Sequence, residues 1–191
     1  MKGVLIGGTS HCGKSTLAAD IGTATGAAVG STDQMARHPG RPWLGVPEPV
    51  AEFYETLSDE TIYWFLRVHH TNMWPMLALE IERQRAGGQG FVLEGTALRP
   101  ESLAGLAGDH LVTLCLCANA DFLVDRIRRE SDYEARDTRM RRLIDRFVTR
   151  SIRDNAEIIA DARKHGVWLV DAGDMTALAT ARQDILSRLS P

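Results

Sequence analysis

The sequence predicts an α/β fold in three layers, a parallel β-sheet between two layers of helices. Short apolar runs alternate along the chain with segments of helical periodicity, the order that a parallel sheet with crossover helices requires. The apolar runs have almost no alternation of polar and apolar residues, as is typical of strands buried on both faces. These runs are the five predicted strands, at residues 4–7, 27–30, 91–93, 111–117 and 167–170.

The predicted helices are recognised by apolar residues spaced three or four positions apart. This spacing predicts a helix around residues 17–25, a long helix over 139–164 and a last helix around 178–189. Asp109 and Asn119 are predicted to begin the elements that follow them, and Gly166 to end the long helix. The stretch 31–50, which is rich in proline, is predicted to be a long ordered loop, and such loops in compact domains are usually functional.

The composition excludes several classes of protein. With 191 residues, 44% of them hydrophobic and 25% charged, the chain has the size of one globular domain and is not disordered, collagen-like or a disulfide scaffold. No apolar run approaches the ~18 residues of a membrane span, and the apolar N-terminal run is too short for a signal peptide. Three cysteines cannot all pair, so reduced thiols and a cytoplasmic location are expected. A net charge of −3 gives no reason to expect nucleic-acid binding.

The strongest motif is a glycine-rich loop after the first strand, residues 8–15, which fits G-x-x-x-x-G-K-[ST]. Gly8 and Gly13 permit backbone conformations that turn successive N–H groups towards an anion. Lys14 would contact the outer phosphates of a nucleotide, and the Ser15 hydroxyl would complete a Mg²⁺ shell. A glycine turn with a chance lysine is the alternative. The predicted nucleotide contacts are Gly8, Thr9, Ser10, His11, Cys12, Gly13, Lys14, Ser15 and Thr16, with the His11 side chain expected to face solvent rather than to take part in chemistry.

Two carboxylates follow neighbouring predicted strands, at the sheet edge where ligands bind in α/β folds. Asp33 could accept the proton of an attacking hydroxyl or hold that hydroxyl in line, or it could only cap a turn with Thr32. Glu94 could orient metal-bound water or a substrate hydroxyl, or it could be an exposed residue at a strand end. The chain has no N-K-x-D sequence for reading guanine and no G-x-G-x-x-G after the first strand, which argues against a signalling GTPase and a dinucleotide-binding domain.

Together these segments, with residues 93–100 (Leu-Glu-Gly-Thr-Ala-Leu-Arg-Pro), resemble the P-loop small-molecule kinases of the nucleoside monophosphate kinase-like group. The nearest patterns are those of 2-phosphoglycerate kinases and chloramphenicol O-phosphotransferases. The resemblance covers most of the chain in order and implies a five-stranded parallel sheet of order 2-3-1-4-5. In the adenylate-type relatives Asp stands in the place of Glu94, and Arg99 is only an approximate counterpart of their phosphate-binding arginine.

The resemblance also implies a lid and a base-binding segment. The sequence from Asp125 to Glu130 is similar to the R-x-x-R that opens the lid in this group, so Arg126 would lie near the nucleotide and Arg129 near the transferred phosphoryl group. The short lid would be residues 131–138, and Gly173 would lie where relatives hold the base with backbone groups. The arginines of the following helix alternate with acidic residues and are expected to form mostly a solvated face.

The acceptor-binding region is expected within residues 33–76, where aromatic residues and histidines gather. Arg37, Arg41 and Trp43 lie in its proline-rich part and are predicted substrate contacts, together with Asp33, Glu94 and Arg99. An aromatic pocket would suit a bulky hydroxyl compound such as a natural product, an antibiotic or a nucleoside. The three arginines would instead suit a small phosphorylated acid such as 2-phosphoglycerate, or a nucleoside monophosphate.

The sequence thus leads to an expected reaction, transfer of the γ-phosphoryl group of ATP or GTP, with Mg²⁺, to a hydroxyl of a small molecule. Lys14, Asp33, Arg126 and Arg129 are the predicted catalytic residues, and Ser15 and (through water) Glu94 are the predicted metal contacts. The expected partner is the small-molecule acceptor, with no nucleic acid or membrane, and the oligomeric state stays open. The alternative from another class is a regulatory nucleotide-binding module without an acceptor.

Overall fold

The structure is a computed structural model that describes residues 3–36, 39–45, 47–108 and 110–189. Five parallel strands form one sheet in the order β2-β3-β1-β4-β5, which confirms the fold class and the strand order expected from the sequence. The strands are β1 (Gly3–Gly8), β2 (Ala28–Ser31), β3 (Phe91–Glu94), β4 (Leu111–Cys117) and β5 (Trp168–Asp171).

Seven helices surround this sheet in the described part of the chain. They are α1 (Lys14–Thr25), α2 (Glu48–Thr56), α3 (Asp59–Ala86), α4 (Pro100–Leu103), α5 (Ala120–Glu130), α6 (Thr138–His165) and α7 (Met175–Leu189). Short 3-10 turns occupy Thr32–Gln34 and Tyr133–Ala135. In the part of the chain that the structure describes, no helix is both long enough and apolar enough to span a bilayer.

The alternation of side chains along β1 explains the three layers. Val4 and Ile6 face one side of the sheet, where they pack with residues of α1 and α7. Leu5 faces the other side and packs with residues of α3, α4 and α6. All three are fully buried because helices cover both faces, so β1 carries no polar side of its own. β1 is the middle strand, and the segment that follows it therefore lies at the centre of the carboxyl edge.

Two of the helix ends predicted from the sequence are present, each at its predicted capping residue. The side chain of Asn119 accepts a hydrogen bond from the Phe122 backbone N–H at the start of α5. Gly166 ends α6 in the left-handed conformation at φ 68°. Asp109 lies outside the described residues. The prediction that residues 31–50 form one loop was wrong at both ends, since a 3-10 turn opens this stretch and α2 begins at Glu48.

Helix α6 binds the segments that follow three strands of the sheet, through Ser151, Asp154 and Asn155. Thr9, after β1, donates its hydroxyl to the Ser151 carbonyl at 3.2 Å. The side chain of Asn155 exchanges two hydrogen bonds with the backbone of Ala118, which follows β4. Between these two contacts, Asp154 accepts a hydrogen bond of 2.6 Å from the guanidinium of Arg99. One and a half turns of α6 therefore fix the segments after β1, β3 and β4 relative to one another.

The Arg99–Asp154 pair is buried, which makes its pairing essential. Asp154 is 1% exposed and Arg99 is 3% exposed. Burial alone would raise the pKa of Asp154, but the guanidinium of Arg99 holds this pKa below its usual value. His70 of α3 is buried beside the pair, and desolvation lowers its pKa to about 3, so it is neutral at physiological pH. Removing one partner of such a pair would leave an uncompensated charge inside the protein.

The buried His70 predicts a specific dependence of stability on pH. Its pKa is lower in the folded chain than in the unfolded chain, where it is about 6.5, so between these values the unfolded chain binds more protons. Its contribution to stability is complete above pH 6.5 and is lost as the pH falls, by up to about 1.4 kcal/mol per pH unit. The variant His70→Gln should therefore lose less unfolding free energy than the wild type between pH 6.5 and 4.5, measured by urea denaturation.

The matched control for this prediction is His165→Gln, at an exposed histidine in the last turn of α6. This variant should keep the pH dependence of the wild type. An equal loss of stability in the wild type and in His70→Gln would contradict the prediction.

Candidate active site

The loop between β1 and α1 has the backbone geometry of an anion site. Gly8, His11 and Gly13 have positive φ angles of 134°, 67° and 89°. Gly13 precedes α1 without any side-chain cap, so the first N–H groups of that helix are open to a ligand. Such groups and the positive end of the helix dipole favour a bound phosphate. The positive φ angles and the uncapped start of α1 are thus those expected from the sequence motif.

Close packing beneath the loop explains why Gly8 has no side chain. A Cβ atom there would lie 2.5 Å from the Leu116 carbonyl oxygen and 2.9 Å from the Cys12 sulfur. The Cys12 thiol is fully buried and contacts the Thr9 carbonyl at 2.8 Å. Burial raises the pKa of this thiol, which makes it unreactive. The Cys12 side chain therefore packs inside the protein beneath the loop. Cys12 and the other two cysteines, which are also buried, form no disulfide.

Lys14 and Ser15 place the two polar groups that the motif requires at the start of α1. Lys14 is 7% exposed, and its ammonium donates a hydrogen bond of 2.8 Å to the Thr9 carbonyl. The Ser15 hydroxyl donates to a carboxylate oxygen of Glu94 at 3.1 Å. Glu94 is 5% exposed, so the interpretation of it as an exposed strand-end residue was wrong. A hydroxyl and a carboxylate beside a phosphate site are hard oxygen ligands that fit Mg²⁺.

A cleft of about 660 Å³ lies on one side of the loop. It is lined by the glycine-rich loop and by residues of α1, α5 and α7, with Ala172 just before α7. Arg126 and Arg129 line this cleft, and the Arg126 guanidinium carbon lies 5.2 Å from the centre of the Phe122 ring. A Cβ atom on Gly13 would lie 3.4 Å from the Arg126 guanidinium. The structure thus brings the two predicted arginines to the mouth of the phosphate loop.

Gly173 lies beside the same cleft. A Cβ atom on it would lie 3.7 Å from the Phe122 ring, and its N–H donates to the Asp171 side chain at 2.8 Å. The neighbouring Ala172 and Met175 line the cleft. An aromatic ring, a guanidinium and apolar side chains are suited to hold a flat heterocycle.

A second and much smaller pocket lies on the other side of the loop. Asp33 lines it together with Ser10 of the loop and Thr96, which follows β3. The space inside is about 20 Å³, which is room for one water molecule. Its remaining lining residues are Thr9, Thr32, Leu66, His69, His70, Met73, Ala97, Arg150 and Asp154. The carboxylate that was predicted as a base or orienting group therefore shares a pocket with the phosphate loop.

Two predicted substrate contacts have their side chains inside the protein. Trp43 is 5% exposed and packs with its ring centre 5.0 Å from that of Phe147, so it belongs to the core. Arg99 forms the buried pair with Asp154, and unlike Asp154 it does not line the small pocket. Phe147 of α6 thus covers the ring of Trp43, and Asp154 of α6 pairs with the guanidinium of Arg99.

The predicted orientation of His11 was also wrong. Its side chain is 2% exposed and packs against the rings of Trp43 and Phe147. One ring nitrogen lies 3.0 Å from a carboxylate oxygen of Glu130, at the end of α5. Burial, followed by the surrounding cations, lowers the pKa of His11 to about 3. The neutral ring therefore acts as packing under the loop.

The remaining predicted residues lie at the margin of the site. Arg41 pairs with Glu130, the carboxylate that also contacts His11, and its side chain is 40% exposed. Arg37 lies outside the described residues. The segment expected to be the lid connects α5 to α6 and is held to α6 by Tyr133, whose hydroxyl donates to Asp145 at 2.9 Å. Arg136 donates to the Ser131 carbonyl at 2.7 Å, within the segment.

Sequence reasoning missed Arg150 and Asp154 as pocket residues. Both stand on the face of α6 that buries Phe147 and Ile158, at steps of three or four residues that place charged groups at core positions. Charged residues are almost never buried unless they are paired. The available signal was that charged residues interrupt this apolar face. The arginines of α6 were instead expected to form mostly a solvated face.

No protein-family model matches the chain, and no curated protein sequence matches it. Solved structures are similar over 98% of the chain. A gluconokinase from Sinorhizobium meliloti 1021 is 21% identical, with a TM-score of 0.54 and 91% of its own chain covered. A deoxyadenosine kinase from M. mycoides with bound dATP is 14% identical, with a TM-score of 0.53 and 98% covered. A tRNA isopentenylpyrophosphate transferase from Bacillus halodurans is 14% identical, with a TM-score of 0.52 and 96% covered. At these identities the likeness shows the fold, which is that of P-loop small-molecule kinases and is shared with a transferase of another kind.

Proposed function

We propose that the protein is a phosphotransferase that moves the γ-phosphoryl group of ATP or GTP to a hydroxyl of a small molecule. The observation that carries this proposal is the position of the phosphate loop between two pockets. One is an open cleft of about 660 Å³ that would take the nucleoside, and the other contains Asp33 and would take the acceptor. The named activities of two structures with this fold, a gluconokinase and a deoxyadenosine kinase, are compatible with it.

On the nucleotide side, the chain provides binding and charge neutralisation. The loop N–H groups and the start of α1 would bind the phosphates, with the Lys14 ammonium beside them. Arg126 and Arg129 would stabilise charge that develops on the transferred group, because the positive groups are already in place when the reaction begins. Ser15 and, through water, Glu94 would hold Mg²⁺, which when bound neutralises phosphate charge.

On the acceptor side, Asp33 is the group that would receive the proton of the attacking hydroxyl or fix its orientation. The apolar side chains of Leu66 and Met73 share the pocket with it. They would limit the access of water, which otherwise competes with the acceptor for the phosphoryl group. The pocket has room for about one water molecule, so a larger acceptor would require its wall to move outwards.

The position of Arg150 favours an acidic acceptor as a second candidate. Arg150 lines the pocket and is buried, with its guanidinium carbon 4.3 Å from the centre of the Phe147 ring. One of its terminal nitrogens donates to the Tyr54 hydroxyl at 2.8 Å, whereas its Nε has no hydrogen-bond partner among the described residues. A fixed guanidinium with a spare donor suits a carboxylate or phosphate on the acceptor. This is the small phosphorylated acid or nucleoside monophosphate considered from the sequence.

The regulatory module remains the rival from another class. Such a module hydrolyses nucleotide to switch a partner and needs no acceptor pocket, whereas Asp33 lies in one beside the loop. Nucleotide consumption measured with and without a library of hydroxyl compounds separates the two. A phosphorylated product supports the proposal, and hydrolysis that no compound changes would contradict it.

One prediction of the proposed function concerns Lys14. Lys14→Ala should weaken the binding of Mg²⁺-ATP or Mg²⁺-GTP about 10- to 100-fold, since a charge-assisted hydrogen bond contributes about 1.5–3 kcal/mol. Isothermal titration calorimetry measures the affinity. Lys164→Ala, at an exposed lysine of α6, is the control and should bind as the wild type does. Equal affinities of the two variants would argue against this loop as the phosphate site.

A second prediction concerns Asp33. Asp33→Asn keeps the size of the side chain but removes the proton acceptor, so turnover should fall roughly 10²- to 10⁴-fold. The affinity for nucleotide should stay within about twofold, because Asp33 lies on the other side of the loop. The measurements are kcat with an acceptor found in the screen and calorimetric nucleotide binding. Asp184→Asn, on the exposed face of α7, is the matched control, and a kcat of Asp33→Asn equal to that of the control would remove Asp33 from its role.

A third prediction tests the acidic acceptor. Arg150→Met keeps the apolar stem but removes the guanidinium, and it should raise KM for an acidic acceptor about 10-fold or more while nucleotide affinity is retained. An alternative acceptor without the acidic group should show no such rise. Turnover of neutral hydroxyl compounds only would contradict the second candidate and leave the first in place.

A further inference from the structure

Large apolar side chains that are exposed to solvent are concentrated on α3. Of the seven that are exposed in the described residues, four lie on this helix, namely Trp64, Phe65, Met76 and Leu79. Trp64 is 60% exposed and Leu79 is 74% exposed, although they lie 15 residues apart on one helix. Exposed apolar side chains scattered singly are normal, but a continuous patch marks an interaction surface.

The outward face of α3 carries an apolar stripe that the polar residues Thr71 and Asn72 interrupt at its middle. At 100° per residue, Trp64, Val68, Pro75 and Leu79 all lie within about 30° of one line. The opposite face of the helix carries its core residues, which are Ile62, Tyr63, Leu66, His70, Met73, Leu77 and Ile81. The stripe is therefore not needed to build the domain, and its apolar character calls for another explanation.

The stripe has a palindromic pattern. Its centre falls between Thr71 and Asn72, with Val68 and Pro75 at equal distances on either side, and Trp64 and Leu79 further out. If two copies of α3 pack antiparallel about this centre, Trp64 lies level with Leu79 of the other copy, and Val68 lies level with Pro75. Apolar side chains at the same level of the two helices would then pack between one another, as ridges of one helix fit into grooves of the other. A face of this kind is complementary to itself, which a two-fold symmetric interface requires.

The charges at the ends of α3 support the same arrangement. Its first turn carries Asp59 and Glu60, and its last turn carries Arg83 and Arg85. The side chain of Glu60 is 75% exposed and that of Arg83 is 71% exposed, although each has an intrachain partner. Antiparallel packing brings the acidic end of one copy near the basic end of the other and opposes the two helix dipoles. A parallel arrangement would place like charges together.

We propose that a second copy of this chain packs on the outward face of α3, antiparallel and centred between Thr71 and Asn72, to form a symmetric dimer. The inference does not depend on the proposed function. Self-complementarity in both the apolar pattern and the end charges is what points to a second copy rather than to an unrelated protein. The buried face of the same helix lines the small pocket with Leu66, His70 and Met73, so the second copy would lie behind one wall of that pocket.

The first test is the mass of the wild-type chain in solution. Light scattering coupled to gel filtration should give twice the monomer mass of 21.0 kDa at micromolar concentration. Trp64→Glu and Leu79→Glu each place a charge in the seam and should give monomers. Val29→Glu is the matched control, since Val29 is 48% exposed on β2 and packs on the α1 side of the sheet, so that variant should remain a dimer. Thermal unfolding of all variants checks that they are folded.

The second test fixes the register without disturbing the seam. A cysteine in place of Thr71 lies next to its copy at the two-fold axis, so Thr71→Cys should form a disulfide-linked dimer under mild oxidation. Thr61→Cys is exposed on the same face, but its copies would be about 30 Å apart at 1.5 Å per residue, so it should not cross-link. The native cysteines do not interfere, because all three are buried.

Two results would overturn the inference. One is a monomer of 21.0 kDa at every concentration of the wild type up to about 100 µM. The other is a dimer that survives both Trp64→Glu and Leu79→Glu, or that cross-links through residue 61 rather than residue 71. Loss of dimer in the two glutamate variants, together with cross-linking at residue 71 only, would support it.

Discussion

One short stretch of α6, residues 151–155, holds the site together. Its Ser151 carbonyl, Asp154 carboxylate and Asn155 amide bind the segments that follow β1, β3 and β4. These are three neighbouring strands of a parallel sheet, so their ends meet at one edge, but the sheet alone does not fix the loops beyond that edge. The contacts from α6 do so through buried polar groups, whose hydrogen bonds would be lost in another arrangement of the loops. The position of the phosphate loop relative to both pockets depends on this stretch.

The phosphate loop and the order of elements could be predicted from the sequence because their causes are local. Glycines at fixed spacing, an apolar run before them and a helical pattern after them determine the turn and the direction of α1. The continuous apolar strands indicated a sheet covered on both faces, and β1, β3 and β4 are buried in this way. The prediction was wrong for the edge strand β2, where Ala28 and Val29 are exposed. Asn119 and Gly166 were read correctly, since capping involves only neighbours in the chain. The strand order came from resemblance to known folds.

The acceptor side could not be predicted to the same degree because burial there is set by residues far apart in the chain. Trp43 stands in a proline-rich segment that looks exposed, yet Phe147 and His11 cover its ring. Arg99 follows a strand where a ligand contact was expected, but Asp154, 55 positions later, takes its charge. The reverse error concerned α6, whose charged residues were assigned to solvent although two of them point inwards. The local signal was limited to the helical spacing that places Arg150 and Asp154 among the apolar residues of α6.

The tightness of the small pocket has a consequence for how fast a substrate can be captured. A cavity with room for one water molecule cannot admit a sugar or a nucleoside by diffusion alone. An acceptor of the proposed kind would enter only when the wall moves outwards, and binding that requires a conformational change is slower than binding to a preformed site. The open cleft proposed for the nucleoside would need no such movement. The two proposed binding steps therefore differ in kind, since only that of the acceptor would require the protein to move.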